Sequence, residues 1–148
     1  MIASDTRGAL QSLPLALPAD TMQYLSSLLE VAGEPDPQCL ITRSSLLRAW
    51  GEFQEQHPLI LAPIYTDIPF KPGPDLTVAG VAEQVRGMRM AIAVNALGLP
   101  AVAVPVGVED GLPQVIQVIG PRYREDLCLD ASAALEERLG AITPIDPR

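Results

Sequence analysis

An α/β fold, in which helices cover a small sheet, is predicted by the order and composition of the sequence. Stretches with apolar residues at helical spacing alternate with short runs rich in β-branched residues, in the order α-α-β-loop-α-β-β-α. Of the 148 residues, 48% are apolar and 19% are charged, which is typical of a globular chain of one-domain length. Three convincing strands make a poor stand-alone sheet, so we expect one partial domain over residues 1–148.

The first third of the chain predicts one helix after an irregular start. Residues 1–19 contain two prolines and show no clear period. A helix follows from Asp20 to about Gly33, with Asp20 or Thr21 as its N-cap. The two prolines in residues 34–37 restrict the residues before them, so this segment is predicted to be a loop.

A second helix and a short strand are predicted next. The helix spans about residues 43–56, and Thr42 or Ser44 is placed to cap it. Residues 59–62 form a continuous apolar run, which favours a strand buried on both faces. Residues 63–75 contain four prolines and cannot be regular structure.

Two further helices are expected in the second half of the chain. The first spans about residues 77–97, and from Met88 onward it is apolar nearly all round. A helix of that kind is expected to be buried on several sides. The second spans about residues 124–139 and stops at Gly140.

Between these helices lies a predicted pair of strands, residues 101–104 and 115–119, both rich in β-branched side chains. Asp110-Gly111 supplies turn chemistry between them, because both residue types tolerate a positive φ. Pro105 lacks an N–H group, so the end of the first strand is expected at a bulge or an edge.

Charge and hydropathy exclude several classes of partner. The net charge is −8 and Lys71 is the single lysine, so the clustered cations that bind nucleic acid are missing. There is no polybasic run for an anionic membrane and no apolar run of the ~18 residues that a membrane helix needs. The apolar stretch at residues 10–19 is interrupted by prolines and does not fit a signal peptide. We expect a cytoplasmic protein without nucleic-acid or membrane partners.

A family resemblance enters at Asn95. From there the chain has Asn-Ala-Leu-Gly-Leu-Pro-Ala, then Asp-Gly-Leu-Pro at residues 110–113 and Gln-Val-Ile-Gly-Pro at residues 117–121. A helix with Glu-Asp-Leu at residues 125–127 closes the run. This sequence resembles the C-terminal region of the amidase-signature family. The resemblance covers roughly residues 43–148, is strongest from Asn95 to Glu136, and is weak over residues 20–42.

The resemblance implies a mixed sheet with covering helices and an enzyme that hydrolyses carboxamides without metal or cofactor. In that family the chemistry belongs to a lysine, a cis-bonded serine and a nucleophilic serine in Gly/Ser-rich sequence, upstream of the matched region. The last residues, 144–148, look like a natural C-terminus, so the expected truncation lies on the N-terminal side. No catalytic, cofactor-binding or metal-binding residue is assigned in this chain.

The serines and the single lysine do not fit that catalytic set. Ser44-Ser45 has no flanking glycine and is interpreted as helix capping, while Ser26-Ser27 lies within a helix. Lys71 follows both pairs, whereas the family's lysine precedes the serines, and it is interpreted as a loop charge. His57 is the single histidine, stands at a helix end, and has no Gly-x-Ser-x-Gly partner.

The sequence also lacks the residue spacing of a metal site or a phosphate-binding loop. Cys39 and Cys128 are far apart, without metal-ligand spacing, and are interpreted as free thiols, with a disulfide as the alternative. The acidic pairs at residues 109–110, 125–126 and 136–137 are interpreted as turn and solvated-helix charges. No glycine-rich phosphate loop is present.

One residue departs from the family pattern. Val115 stands where the family usually has a glycine within the strand, and glycine in a strand often marks close approach of another backbone or a ligand. Valine is expected to crowd that neighbour and alter the pocket.

Two functions remain open from the sequence. The first is a truncated amidase-like protein, inactive alone. The second is a non-catalytic module, or one chain of a split amidase, that uses apolar sheet faces to bind a second copy or a separate catalytic half.

Overall fold

The computed structural model describes residues 17–34, 36–68 and 72–140. The described part contains five α-helices, a short 3₁₀ turn and three strands, in the order α1 (Ala19–Ala32), α2 (Cys39–Gln56), β1 (Ile60–Pro63), the 3₁₀ turn (Pro74–Leu76), α3 (Val78–Gly87), α4 (Arg89–Leu97), β2 (Ala101–Glu109), β3 (Leu112–Ile119) and α5 (Glu125–Leu139). The predicted α/β class is confirmed. Nearly all of the start predicted to be irregular lies outside the described residues.

The two predicted N-caps on the first helices are wrong. Helix α1 begins directly after Pro18, and neither Asp20 nor Thr21 caps it. Helix α2 begins at Cys39, four residues earlier than predicted, so Thr42 and Ser44 lie inside it. The cause is Asp36, whose Oδ1 accepts the N–H of Gln38 at 2.8 Å and so organises the turn from which α2 starts.

The long helix predicted for residues 77–97 is two helices, α3 and α4, separated at Met88. Thr77 caps α3, a role that the sequence analysis did not assign to it, since its hydroxyl accepts the N–H of Gly80 at 3.1 Å. The break follows from Gly87, whose carbonyl accepts both the N–H (3.0 Å) and the hydroxyl (3.2 Å) of Thr66. A carbonyl held by a loop is taken out of the helical ladder, and the helix divides there.

The three strands form an antiparallel sheet in the order β1-β3-β2. Strands β2 and β3 are a hairpin whose two turn residues, Asp110 (φ 50°) and Gly111 (φ 78°), both have positive φ, as predicted. The register shifts between Pro105 and Gly107, so β2 has one residue more than its partner there. The prediction that Pro105 lies at a bulge or an edge is confirmed, since β2 is also an outer strand of the described sheet.

Helices cover both faces of this sheet. On one face the core is formed with α2 and α4 by five buried residues, Ala62, Val94, Leu97, Leu99 and Ile119. On the other face α5 packs against β2 and β3 and buries Val118. Helix α5 does not extend over strand β1 on that face, as the 60% exposure of Leu61 shows. The prediction that this strand is buried on both faces is therefore wrong for the described part of the chain.

The C-terminal end of α4 is fixed by two independent groups. Gly98 adopts the left-handed conformation (φ 67°, ψ 43°), and the N–H groups of Gly98 and Leu99 bond to the carbonyls of Asn95 and Val94. The next two carbonyls, of Ala96 and Leu97, accept from the guanidinium of Arg43 on α2. All of the last four carbonyls are thereby paired, which sets the direction in which the chain enters β2.

Burial of the second half of the predicted long helix is partial. Val94 and Leu97 enter the core, but Met88 and Ile92 are exposed among the described residues. Helix α4 is therefore apolar on a face that nothing in the described structure covers. No helix in residues 17–34, 36–68 or 72–140 is both long and apolar enough to cross a membrane.

Candidate functional site

The serine pair at the centre of the sequence prediction is held by its own helix. Ser44 Oγ donates to the carbonyl of Leu40 at 2.8 Å, and Ser45 Oγ donates to the carbonyl of Ile41 at 3.1 Å. These are bonds to carbonyls four residues back, and the prediction that the pair acts on backbone N–H groups as a cap is wrong. A hydroxyl in this state has no adjacent base and is no activated nucleophile.

The two serines of the other pair differ from each other, and neither has an adjacent base among the described residues. Ser26 Oγ donates to the carbonyl of Met22 at 2.8 Å. Ser27 is buried between α1 and α3, and its hydroxyl has no hydrogen-bond partner among the described residues. Lys71 lies outside the described residues, so the predicted separation between it and Ser44-Ser45 stays a prediction.

His57 occupies the C-cap of α2. Its backbone N–H donates to the carbonyl of Phe53 at 3.1 Å, and its ring lies 4.7 Å from the ring of Phe53. His57 thus lies at the helix end as predicted, but its backbone N–H makes the capping bond. Its imidazole packs beside the ring of Phe53 instead.

Both cysteines are free, as predicted. Cys128 is buried against the turn between β3 and α5, with Sγ 3.7 Å from the carbonyl oxygen of Pro100. Burial, followed by the charges of Glu125 and Asp126, raises the pKa of the Cys128 thiol above its ordinary value. A raised pKa keeps the thiol protonated, which favours a packing role over nucleophilic chemistry.

The acidic pairs remain on the surface. Asp126 accepts from the Arg124 guanidinium at 2.8 Å, and this hydrogen bond holds the carboxyl pKa below its usual range. Residues 109–110 lie at the hairpin turn and residues 136–137 in the last turns of α5, all exposed. No group of three or more His, Cys, Asp or Glu side chains suited to a metal occurs in the described segments.

The residues that carry the family resemblance come together on the hairpin. Gln117 is 5% exposed in the middle of the sheet, and its side-chain Nε2 donates to the carbonyl of Pro63 at 3.1 Å. Asn95 Nδ2 bonds to Ala91 within α4, and Gly98 makes the turn into β2. Each of these residues fixes backbone, so the arrangement is a framework that positions strands and presents no reactive group.

Val115 lies beside the bulge, opposite Pro105. Side chains alternate along a strand, so Val115 is on the same face as Gln117 and Ile119. It is partly exposed there, at the end of the sheet away from the core. The prediction that valine crowds a neighbour at this position therefore stays a prediction.

Two residues that the sequence analysis missed are Arg43 and Gln54. Together with Leu47 and Trp50 they occupy positions i, i+4, i+7 and i+11 of α2, which is one face of a helix. A charged or amide side chain on the buried stripe of a helix signals a specific partner, and this signal was present in the sequence.

The chain is similar to two groups of curated enzymes. It is 44% identical over 111 residues to the indoleacetamide hydrolases of Bradyrhizobium diazoefficiens and Bradyrhizobium japonicum, a match that covers 71% of this chain and 20% and 23% of those proteins. It is 32% identical over 98 residues to one of the subunits of the glutamyl-tRNA(Gln) amidotransferase of Archaeoglobus fulgidus, covering 66% of this chain and 21% of that protein. The chain thus spans about a fifth of the length of the curated relatives that it matches. No model of a known protein family matches it.

Proposed function

Because this chain is homologous to amidase-signature enzymes over 71% of its length, we propose that it forms the C-terminal part of a carboxamide hydrolase and lacks the catalytic groups. In this proposal the catalytic lysine and serines come from polypeptide outside these 148 residues. The observation that carries the proposal is the state of the serines, since Ser44 and Ser45 both donate to carbonyls of their own helix.

The role that remains for the chain is structural support of an active site. Gln117 ties β3 to the end of β1, and Arg43 with Gly98 fixes the entry into β2. Catalytic groups must be held within a fraction of an ångström by their framework, and a tied hairpin supplies that rigidity. The identity to the indoleacetamide hydrolases favours a small carboxamide as the substrate of the complete enzyme.

A second candidate is an independent binding module, and the exposure of Leu61 beside the unpaired edge of β1 favours it. Exposed apolar side chains at an open strand edge are typical of surfaces that pair with another chain. The partner would be a separate catalytic half or a second copy of the chain.

The first prediction tests the framework role with a chimera. The matching region of the Bradyrhizobium diazoefficiens indoleacetamide hydrolase is replaced by this chain, and ammonia release from indoleacetamide is measured. We expect the purified chain alone to give no turnover above background, and the chimera to hydrolyse the amide. The variant Val115→Gly in the chimera should raise the rate at least severalfold, because it restores the expected close approach at β3.

Ser44→Ala and Ser45→Ala in the chimera serve as controls, and we expect both to retain the chimera's rate. Turnover by the chain alone that either substitution abolishes would contradict the proposal. So would a soluble chimera with native-like circular dichroism and no activity in either Val115 form.

A further inference from the structure

A groove of about 400 Å³ lies between α2 and the turn that joins β3 to α5. Its walls are largely apolar and include Leu47 of α2, Leu99 of the link before β2, and Leu127 of α5. Gly51 contributes no side chain, and a Cβ placed there meets nothing within 4 Å. The volume falls within the range of cavities that hold small organic ligands.

The buried polar side chain of the groove is the amide of Gln54. Gln54 lines the groove, is 5% exposed, and its Nε2 has no hydrogen-bond partner among the described residues. A buried donor without a partner destabilises the folded chain, so this position favours a ligand that accepts a hydrogen bond. The terminal torsion of glutamine is soft, which lets the amide turn into the groove.

Of the two arginines that line the groove, one is paired with a carboxylate and the other is not. Arg124 is held by Asp126, whereas Arg122 donates to the hydroxyl of Tyr123 and has no carboxylate partner in the described segments. Glu55 also lines the groove and opposes an anion. A guanidinium without a counter-ion beside an unpaired amide donor is suited to a carboxylate, since charge-assisted hydrogen bonds are the stronger kind.

We propose that this groove binds a small carboxylate with an apolar body, whose oxygens pair with Gln54 and Arg122. The walls of the groove take the apolar part of the ligand, and the empty space beside Gly51 gives it room. This inference does not rest on the proposed function, because none of the groove residues is assigned to amide hydrolysis.

The test is calorimetric titration of the 148-residue chain with phenylacetate, and with phenylacetamide as the neutral analogue of the same shape. We expect saturable binding of phenylacetate with a dissociation constant of about 1 mM or below. Gln54→Leu and Arg122→Gln should each weaken it about tenfold, and Glu55→Gln should strengthen it. Phenylacetamide should bind the wild-type chain about tenfold more weakly than phenylacetate does. Its affinity should be the same for Arg122→Gln as for the wild type.

The location is tested by a matched pair of substitutions on α2. Gly51→Leu fills the groove and should abolish binding, while Ala49→Leu adds a similar bulk at an exposed position of the same helix and should leave it unchanged. Both replace a residue by a strong or comparable helix former, so circular dichroism should show intact helices. Binding that survives Gly51→Leu, or no binding by a wild-type chain with native circular dichroism, overturns the proposal.

Discussion

Gly120, directly after β3, lies close to α5. Its N–H donates to the carbonyl of Pro100 at 3.0 Å, and a Cβ at this position would lie 2.6 Å from Sγ of Cys128 and 3.3 Å from the carbonyl oxygen of Arg124. The φ of Gly120 is not positive, so space and not backbone conformation requires the glycine.

At this scale we predict that Gly120→Ala lowers the free energy of unfolding by about 1–3 kcal/mol, because the added methyl overpacks against Cys128. Urea denaturation measures the change. In the double variant Gly120→Ala/Cys128→Ala the clash is removed, so its cost should be smaller than the sum of the two single costs. Strictly additive costs would show that the two residues do not meet.

Individual residues were also where prediction from the sequence failed most. The interpretation of Ser44 as a cap assumed that α2 starts beside it, but the turn organised by Asp36 starts the helix earlier. A hydroxyl that lies four residues further into a helix changes from capping an N–H to donating to a carbonyl. An error of four residues in an element boundary therefore changed the chemical state assigned to a side chain.

At the scale of elements, the helical stripes and the hairpin were predictable because they depend on local spacing and turn chemistry. The joint between α2 and α4, which is the hydrogen bonding of Arg43 to the carbonyls of Ala96 and Leu97, could not be predicted. Arg43 and Ala96 are 53 positions apart in the chain, so no local pattern connects them. The division of the long helix at Met88 was likewise hidden, since it depends on Thr66 holding the carbonyl of Gly87.

Because of this joint, we predict that two arginines of α2 contribute differently to the free energy of unfolding. Arg43→Ala should lower the free energy of unfolding by about 1–2 kcal/mol, because the carbonyls of Ala96 and Leu97 lose a charged donor. Arg48→Ala, at an exposed position, should change it by no more than about 0.5 kcal/mol. Chemical denaturation of both variants checks the difference, and equal effects would argue against the joint.

At the scale of the whole molecule, the described surface carries large apolar side chains on several elements, with Ile41, Phe53, Leu61 and Leu129 all more than half exposed. Both outer strands of the sheet have an unpaired edge in the described structure. The sequence analysis predicted a partial domain, and this surface is where such a domain would be incomplete. Uncovered apolar faces and strand edges favour association.

We therefore predict that the purified chain self-associates, with an average mass in light scattering that rises with concentration. Leu61→Lys places a charge at the edge of β1 and should shift the chain towards the monomer. Ile68→Lys, a matched change in the loop after β1, should behave as the wild type does. A monodisperse monomer at every concentration, with a sharp thermal transition, would show that the surface needs no partner.

The bulge in β2 has a consequence for how insertions and deletions act on this hairpin. Val104 pairs with Ile116 and is 5% exposed, whereas Val108 pairs with Pro113 and is 55% exposed. In a regular strand, residues four apart point the same way, so the extra residue between Pro105 and Gly107 exchanges the two sides of the sheet beyond it. Deleting that one residue would therefore leave every remaining pair of the hairpin, from Ala101 with Ile119 to Glu109 with Leu112, on its present face, and would remove only the local bend and added twist of the bulge.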